Sequence, residues 1–196
     1  MKLIFHLVSR LFHPIVVPFY GTVLYLHYSL ESIEAHLELL SLVVGVTFLI
    51  PLMLFYLLRS KGKVSSSNLP HIAERWIPLL LNTFLLSGLA LVINLHPYLE
   101  LRDWIILLAV QNLFTLVLLR IPFKTSIHLF NSISLLLFLG MVPLGISSAL
   151  SLLLAIVWVS LICAARLVLK AHRPIELLVG GILAISAHAG YFWWVG

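Results

Sequence analysis

Charge is scarce in this chain. Asp, Glu, Lys and Arg together make up 10% of its 196 residues, whereas a soluble domain carries about 25%. So little charge, beside a hydrophobic share of 62%, excludes an ordinary soluble globule, a disordered chain and a nucleic-acid binder. Cysteine is nearly absent as well. The single Cys163 allows no internal disulfide and no multi-cysteine metal site, and its apolar surroundings read as those of a small buried hydrophobe. Long polar segments are missing too, which leaves no room for a separate soluble domain.

What is present is apolar sequence in long runs. Seven stretches stand out, approximately 3–28, 36–59, 76–95, 103–121, 127–145, 147–169 and 174–195. A spanning helix needs ~20 predominantly apolar residues, and continuous rather than alternating runs favour helices over barrel strands. The expectation is an all-α polytopic integral membrane bundle of six or seven transmembrane helices, forming a single domain over 1–196. The count turns on the first stretch. Pro14 and Pro18 kink it, while Arg10 and His13 are costly in lipid, so it reads as a bent span or a partly re-entrant helix. The same interruptions, with no small-residue cleavage site after them, distinguish it from a signal peptide. The longest polar connection runs from Arg59 to Arg75. It contains Lys61-Gly62-Lys63, Ser65-Ser66-Ser67 and Pro70-His71, with the next helix starting near Ala73.

The net charge of +5 is unevenly placed. If all seven stretches cross, the N-terminus and the loops at 59–75, 120–126 and 169–174 share one face. That face holds Lys2, Arg10, Arg59, Lys61, Lys63, Arg75, Arg120, Lys124, Arg166, Lys170 and Arg173, eleven of the twelve basic residues. The opposite face keeps Arg102 with Glu31, Glu34, Glu38, Glu100 and Asp103. Positive-inside reasoning makes the basic face cytosolic. The expected setting is a bacterial cytoplasmic (inner) membrane, with the lipid bilayer as partner.

Three clusters on the basic face bear chemistry: His71 to Pro78, Lys124-Thr125-Ser126-Ile127-His128, and Arg166 to Glu176. Two apolar stretches separate each from the next, so one helical hairpin returns the chain to the same face each time. Glu176 follows His172 by four residues. With a helix starting near Arg173, its carboxylate lies in the first turn and reaches back to the imidazole. A carboxylate on one ring nitrogen sets the tautomer and leaves the other nitrogen for chemistry. His128 begins a different helix on the same face. Two histidines with Arg75, Lys124 and Arg166 describe an anion pocket with an acid–base pair beside it, which are the parts phosphoryl transfer needs.

These residues resemble a known family. Ala165-Arg166, five residues, His172, three residues and Glu176 is similar to the third signature of the type 2 phosphatidic acid phosphatase superfamily, Ser-Arg, five residues, His, three residues, Asp. Thr125-Ser126-Ile127-His128 resembles the second signature, Pro-Ser-Gly-His. Glu74-Arg75 with Pro78 resembles a remnant of the first, Lys, six residues, Arg-Pro. The resemblance covers about residues 60–181. It implies His172 as the nucleophile that forms a phosphohistidine, Glu176 as its orienting carboxylate and His128 as the acid for the leaving group. Arg75, Arg166 and Ser126 are implied as phosphate-binding residues. The family acts on lipid phosphates such as phosphatidic acid, phosphatidylglycerophosphate and polyprenyl diphosphates, and it needs no metal or other cofactor. The chain departs from the pattern at several places. Asn68 stands where the first signature has lysine, and Trp76 follows the arginine in place of proline. Lys63 or Lys124 is available to supply the missing positive charge. Thr125 and Ile127 replace proline and glycine, Ala165 replaces serine, and Glu176 replaces aspartate with a longer arm.

Blander roles account for the remaining polar residues. His6, His13, His27, His36, His71 and His96 read as interfacial rings, and His188 as a structural hydrogen-bonding group. Arg75 and Arg166 also suit snorkelling anchors. Gly180-Gly181 suits close helix packing, and Trp193-Trp194 suits an interfacial aromatic belt. Two functions follow in order: a membrane lipid phosphatase, or a catalytically inactive relative that binds phospholipid or scaffolds another membrane enzyme.

Overall fold

The structure is a computed structural model and describes residues 2–28, 32–66, 69–94, 98–142 and 148–195. Every regular element among them is helical. Five helices are long and apolar enough to cross a bilayer: Ile33–Ser60, Ile72–Ile93, Leu99–Leu119, Ala149–Val168 and Pro174–Trp194. Their outward side chains are apolar and open, Phe84 being 81% and Trp193 87% exposed. In water such a surface would aggregate; in lipid it faces its own kind of solvent. The chain is an all-α polytopic membrane protein.

Two compact units divide the chain, residues 1–29 with 125–196 forming the first and 30–124 the second. In the first unit the opening stretch is broken into α1 (Lys2–Leu11) and α2 (Val17–Leu26). Pro14 is the cause, since it donates no backbone bond and biases His13 away from helical geometry. The turn between is tied by the Ile15 amide donating to His13 Nδ1 at 3.3 Å and by the Tyr20 hydroxyl donating to the Leu11 carbonyl at 3.1 Å. Ten residues rise only ~15 Å, so neither helix spans a ~30 Å hydrocarbon core alone.

The unit is completed by α7 (Ile127–Leu139), α8 (Ser148–Val168) and α9 (Pro174–Val195). Leu129 of α7, Ile162 of α8 and Leu177 of α9 meet in an apolar cluster, with Phe12, Trp158 and Cys163 packed against it. Cys163 packs here as a hydrophobe but is half-buried, where its sequence context suggested a buried one. This cluster holds the start of α7, the end of α8 and the start of α9 together.

In the second unit, α3 (Ile33–Val44) and α4 (Ile50–Ser60) are one helix interrupted by a wide π turn at Gly45–Leu49. Pro51 explains the turn: it cannot donate to the Thr47 carbonyl and its ring crowds that oxygen. The helix opens on Ser32, whose hydroxyl accepts from the Ala35 amide at 3.2 Å. A 3₁₀ turn at Ile72–Arg75 leads into α5 (Trp76–Ile93), which packs antiparallel on α6 (Leu99–Leu119). At one end the Arg120 guanidinium lies 4.9 Å from the Trp76 ring centroid; at the other, Arg102 donates to Asn94 Oδ1 at 2.6 Å and pairs with Asp103. The order of charges along this pair agrees with the segregation read from the sequence.

Candidate functional site

Three helix ends and one short helix build the site in the first unit. α8 terminates in a Schellman turn. Lys170 adopts a left-handed backbone (φ 51°), the Lys170 amide donates to the Leu167 carbonyl at 3.0 Å, and the Ala171 amide donates to the Arg166 carbonyl at 3.0 Å. The reversal brings the His172 amide back to within 3.4 Å of the same Arg166 carbonyl. Arg166 and His172 are therefore neighbours because of how the helix stops.

α9 starts at once. Pro174 supplies a preset φ at the first helical position, and Glu176 at the third reaches back to accept from the Arg173 amide at 3.2 Å. The same oxygen, Oε2, accepts from His172 Nδ1 at 2.8 Å, and Oε1 accepts from Arg173 Nε at 3.1 Å. A carboxylate can only accept, so His172 carries a proton on Nδ1, and its Nε2 points away from the carboxylate. Both side chains are buried, which holds the dyad in one geometry.

Ser126 joins α7 to this dyad. Its amide donates to the Glu176 carbonyl at 3.1 Å. The approach is possible because residue 180 is glycine: a Cβ there would sit 2.8 Å from the Ser126 carbonyl oxygen. Gly180 thus serves close packing, as its sequence context suggested. Ser126 occupies the N-cap of α7 with an extended backbone, yet its hydroxyl caps nothing. Ser126 Oγ and Arg166 Nε are both buried and make no hydrogen bond with any of the described residues.

His128 is the second residue of the same helix, within electrostatic reach of Arg166 and His172. The link between them is Ser9 of α1. Arg166 Nη1 donates to Ser9 Oγ at 2.7 Å, and His128 Nε2 lies 3.3 Å from the Ser9 carbonyl, which accepts. The His13 ring meets His128 edge-on, with centroids 5.2 Å apart.

Of the expected site residues, His172, His128, Glu176, Arg166 and Ser126 all lie in the first unit, linked by these contacts. The other expected phosphate-binding residues, Arg75, Lys63 and Lys124, belong to the second unit. There Arg75 is buried and its Nε donates to the Leu69 carbonyl at 2.9 Å, so it ties down its own loop. Lys63 is exposed and Lys124 half-buried. Asn68, Glu31 and His96 lie outside the described residues. His188 makes the structural bond expected of it, donating from Nδ1 to the Ala184 carbonyl at 3.0 Å. Two site neighbours, Ser9 and His13, were not placed here by sequence reasoning. The available signal was periodicity: on a helical wheel Ser9 falls on the side of Phe5, Val8 and Phe12, a polar residue among apolar ones. No family model, characterised protein or solved structure matches this chain.

Proposed function

We propose that the protein is a metal-independent membrane lipid phosphatase working through a phosphohistidine. One observation carries the reading. A buried His172–Glu176 dyad is joined through backbone hydrogen bonds to Arg166 and Ser126, whose Nε and Oγ are two buried donors that no described residue satisfies. Unsatisfied buried donors are costly, and phosphoryl oxygens are the kind of acceptor that would satisfy both.

In this mechanism His172 Nε2 attacks phosphorus, an N–P bond forms and the bond from phosphorus to the lipid oxygen breaks. His128, as the imidazolium, gives its Nε2 proton to the departing oxygen and becomes neutral. Water then attacks the phosphohistidine, the N–P bond breaks, and the water's proton passes to His128. Arg166, Ser126 and the N-terminal end of α7 hold the phosphoryl oxygens throughout. Glu176 keeps the His172 lone pair on Nε2 in both halves. The reading rests on the first unit alone. Positive-inside reasoning adds that the site faces the cytosol of a bacterial inner membrane.

The test is phosphate release by detergent-purified protein in EDTA from phosphatidic acid, phosphatidylglycerophosphate and a polyprenyl diphosphate. Release is expected to survive EDTA, and His172→Ala is expected to lower it by ~10³-fold or more. Wild-type protein that binds inorganic phosphate but releases none from any of the lipids would instead assign the site to a non-catalytic phospholipid binder.

A further inference from the structure

The short helix α1 has three faces. Lys2, His6 and Arg10 recur every four residues along one. Leu3, Ile4, Leu7 and Leu11 form a second, turned outward, with Leu3 81% and Ile4 63% exposed. Phe5, Val8, Ser9 and Phe12 form the third, and it faces the protein; Phe12 packs on Trp158 of α8 with ring centroids 4.1 Å apart and the planes tilted by 49°. A short helix with one apolar outer face, one basic face and no acidic residue suits the boundary between head groups and acyl chains. Its third face then lies over the site.

Ser9 is the polar interruption of that third face, and both of its oxygens are engaged. The hydroxyl oxygen accepts from Arg166 and the carbonyl oxygen accepts from His128. These are the two groups that would meet a phosphoryl oxygen and a leaving oxygen. A phosphate oxygen that takes either donor must displace the Ser9 oxygen now bonded to it, and the Ser9 carbonyl has no proton to offer in return. We propose that α1 is a membrane-seated lid whose Ser9 fills the oxygen positions of the substrate until a lipid phosphate displaces it. The inference rests on the phosphatase reading above and adds how the site is closed and from where it is entered.

The hinge is the turn between α1 and α2, where Pro14 interrupts the helical ladder. Moving there releases Arg166 Nη1 and His128 Nε2 together. The outer leucines remain against acyl chains while α1 moves, so little apolar surface is exposed to water. A lipid arriving from the bilayer would slide its head group under α1 with its tails still in the membrane.

The experiment uses full-length protein with Cys163→Ala and Ser9→Cys, reconstituted in phospholipid vesicles, and follows the rate of maleimide modification at position 9. Inorganic phosphate at saturation is expected to raise that rate several-fold, because it opens the lid. Adding Phe12→Ala, which removes the packing on Trp158 and touches no phosphate-binding group, is expected to raise the rate several-fold without phosphate. A rate that phosphate lowers or leaves unchanged overturns the lid, and lowering would make Ser9 part of a closed binding pocket. Wild-type phosphate release separates this failure from that of the parent reading. Release with an unresponsive position 9 overturns the lid alone. A responsive position 9 without release from any lipid overturns hydrolysis and keeps a gated phosphate binder.

Discussion

At the scale of single residues, the His172–Glu176 pair depends on the charge of Glu176 as much as on its shape. Its Oε2 accepts from both the imidazole and the Arg173 amide, so an amide in its place presents either a competing N–H or a weaker oxygen. Glu176→Gln is therefore expected to lower kcat by about 10²–10⁴-fold with KM little changed. A steady-state comparison on the best substrate checks it, and equal losses in binding and turnover would show a general loss of structure instead. Gly180 is a second sensitive point for a steric reason. A methyl group there meets the Ser126 backbone at 2.8 Å, and backbone cannot swing aside as a side chain can. Gly180→Ala is expected to destabilise the protein by about 1–3 kcal/mol and to lower phosphate affinity by displacing the start of α7. Thermal unfolding in detergent and phosphate titration read the two effects separately.

At the scale of elements, the ends of helices matter more than their middles. The Schellman turn after α8 is built on Lys170 in a left-handed conformation, which costs an L-residue roughly 1–2 kcal/mol. Glycine adopts that conformation without the penalty, though it loses more freedom on folding. Lys170→Gly is expected to raise the melting temperature slightly, since about 1 kcal/mol of strain is relieved, and to leave phosphate release close to wild type. A clear loss of release would mean that the lysine charge, rather than the turn, serves the site. The Arg166–His172 pair and the Glu176 capping turn were legible in the sequence because short spacings and local rules govern them. The break at Pro14 was legible as a kink. The π turn at Gly45–Leu49 was not anticipated, although Pro51 supplies its cause.

At the scale of the molecule, the positive-inside reading of the sequence makes a prediction of sidedness. If the basic end is cytosolic, Lys170→Cys in a Cys163→Ala background is expected to escape an impermeant maleimide in intact cells and to react after permeabilisation. Glu100→Cys, exposed at the far end of α6, is expected to react in intact cells. The reverse pattern would place the site on the outer face and redirect the search for substrate to lipids presented there.

The sequence alone determined the all-α membrane character, because a backbone in lipid is satisfied by helices or closed barrels and continuous rather than alternating apolar runs suit helices. It also determined the dyad and the return of His128 and His172 to one face, because helix parity and i, i+4 spacing are local facts. Tertiary packing decided the rest. Ser9 bonds to Arg166 across a separation of 157 residues, and no local rule says that α1 folds back on α8 or that Ser126 settles against Gly180. Contacts between residues far apart in the chain have no local rule to set them, and they are settled only when the helices that carry them pack together.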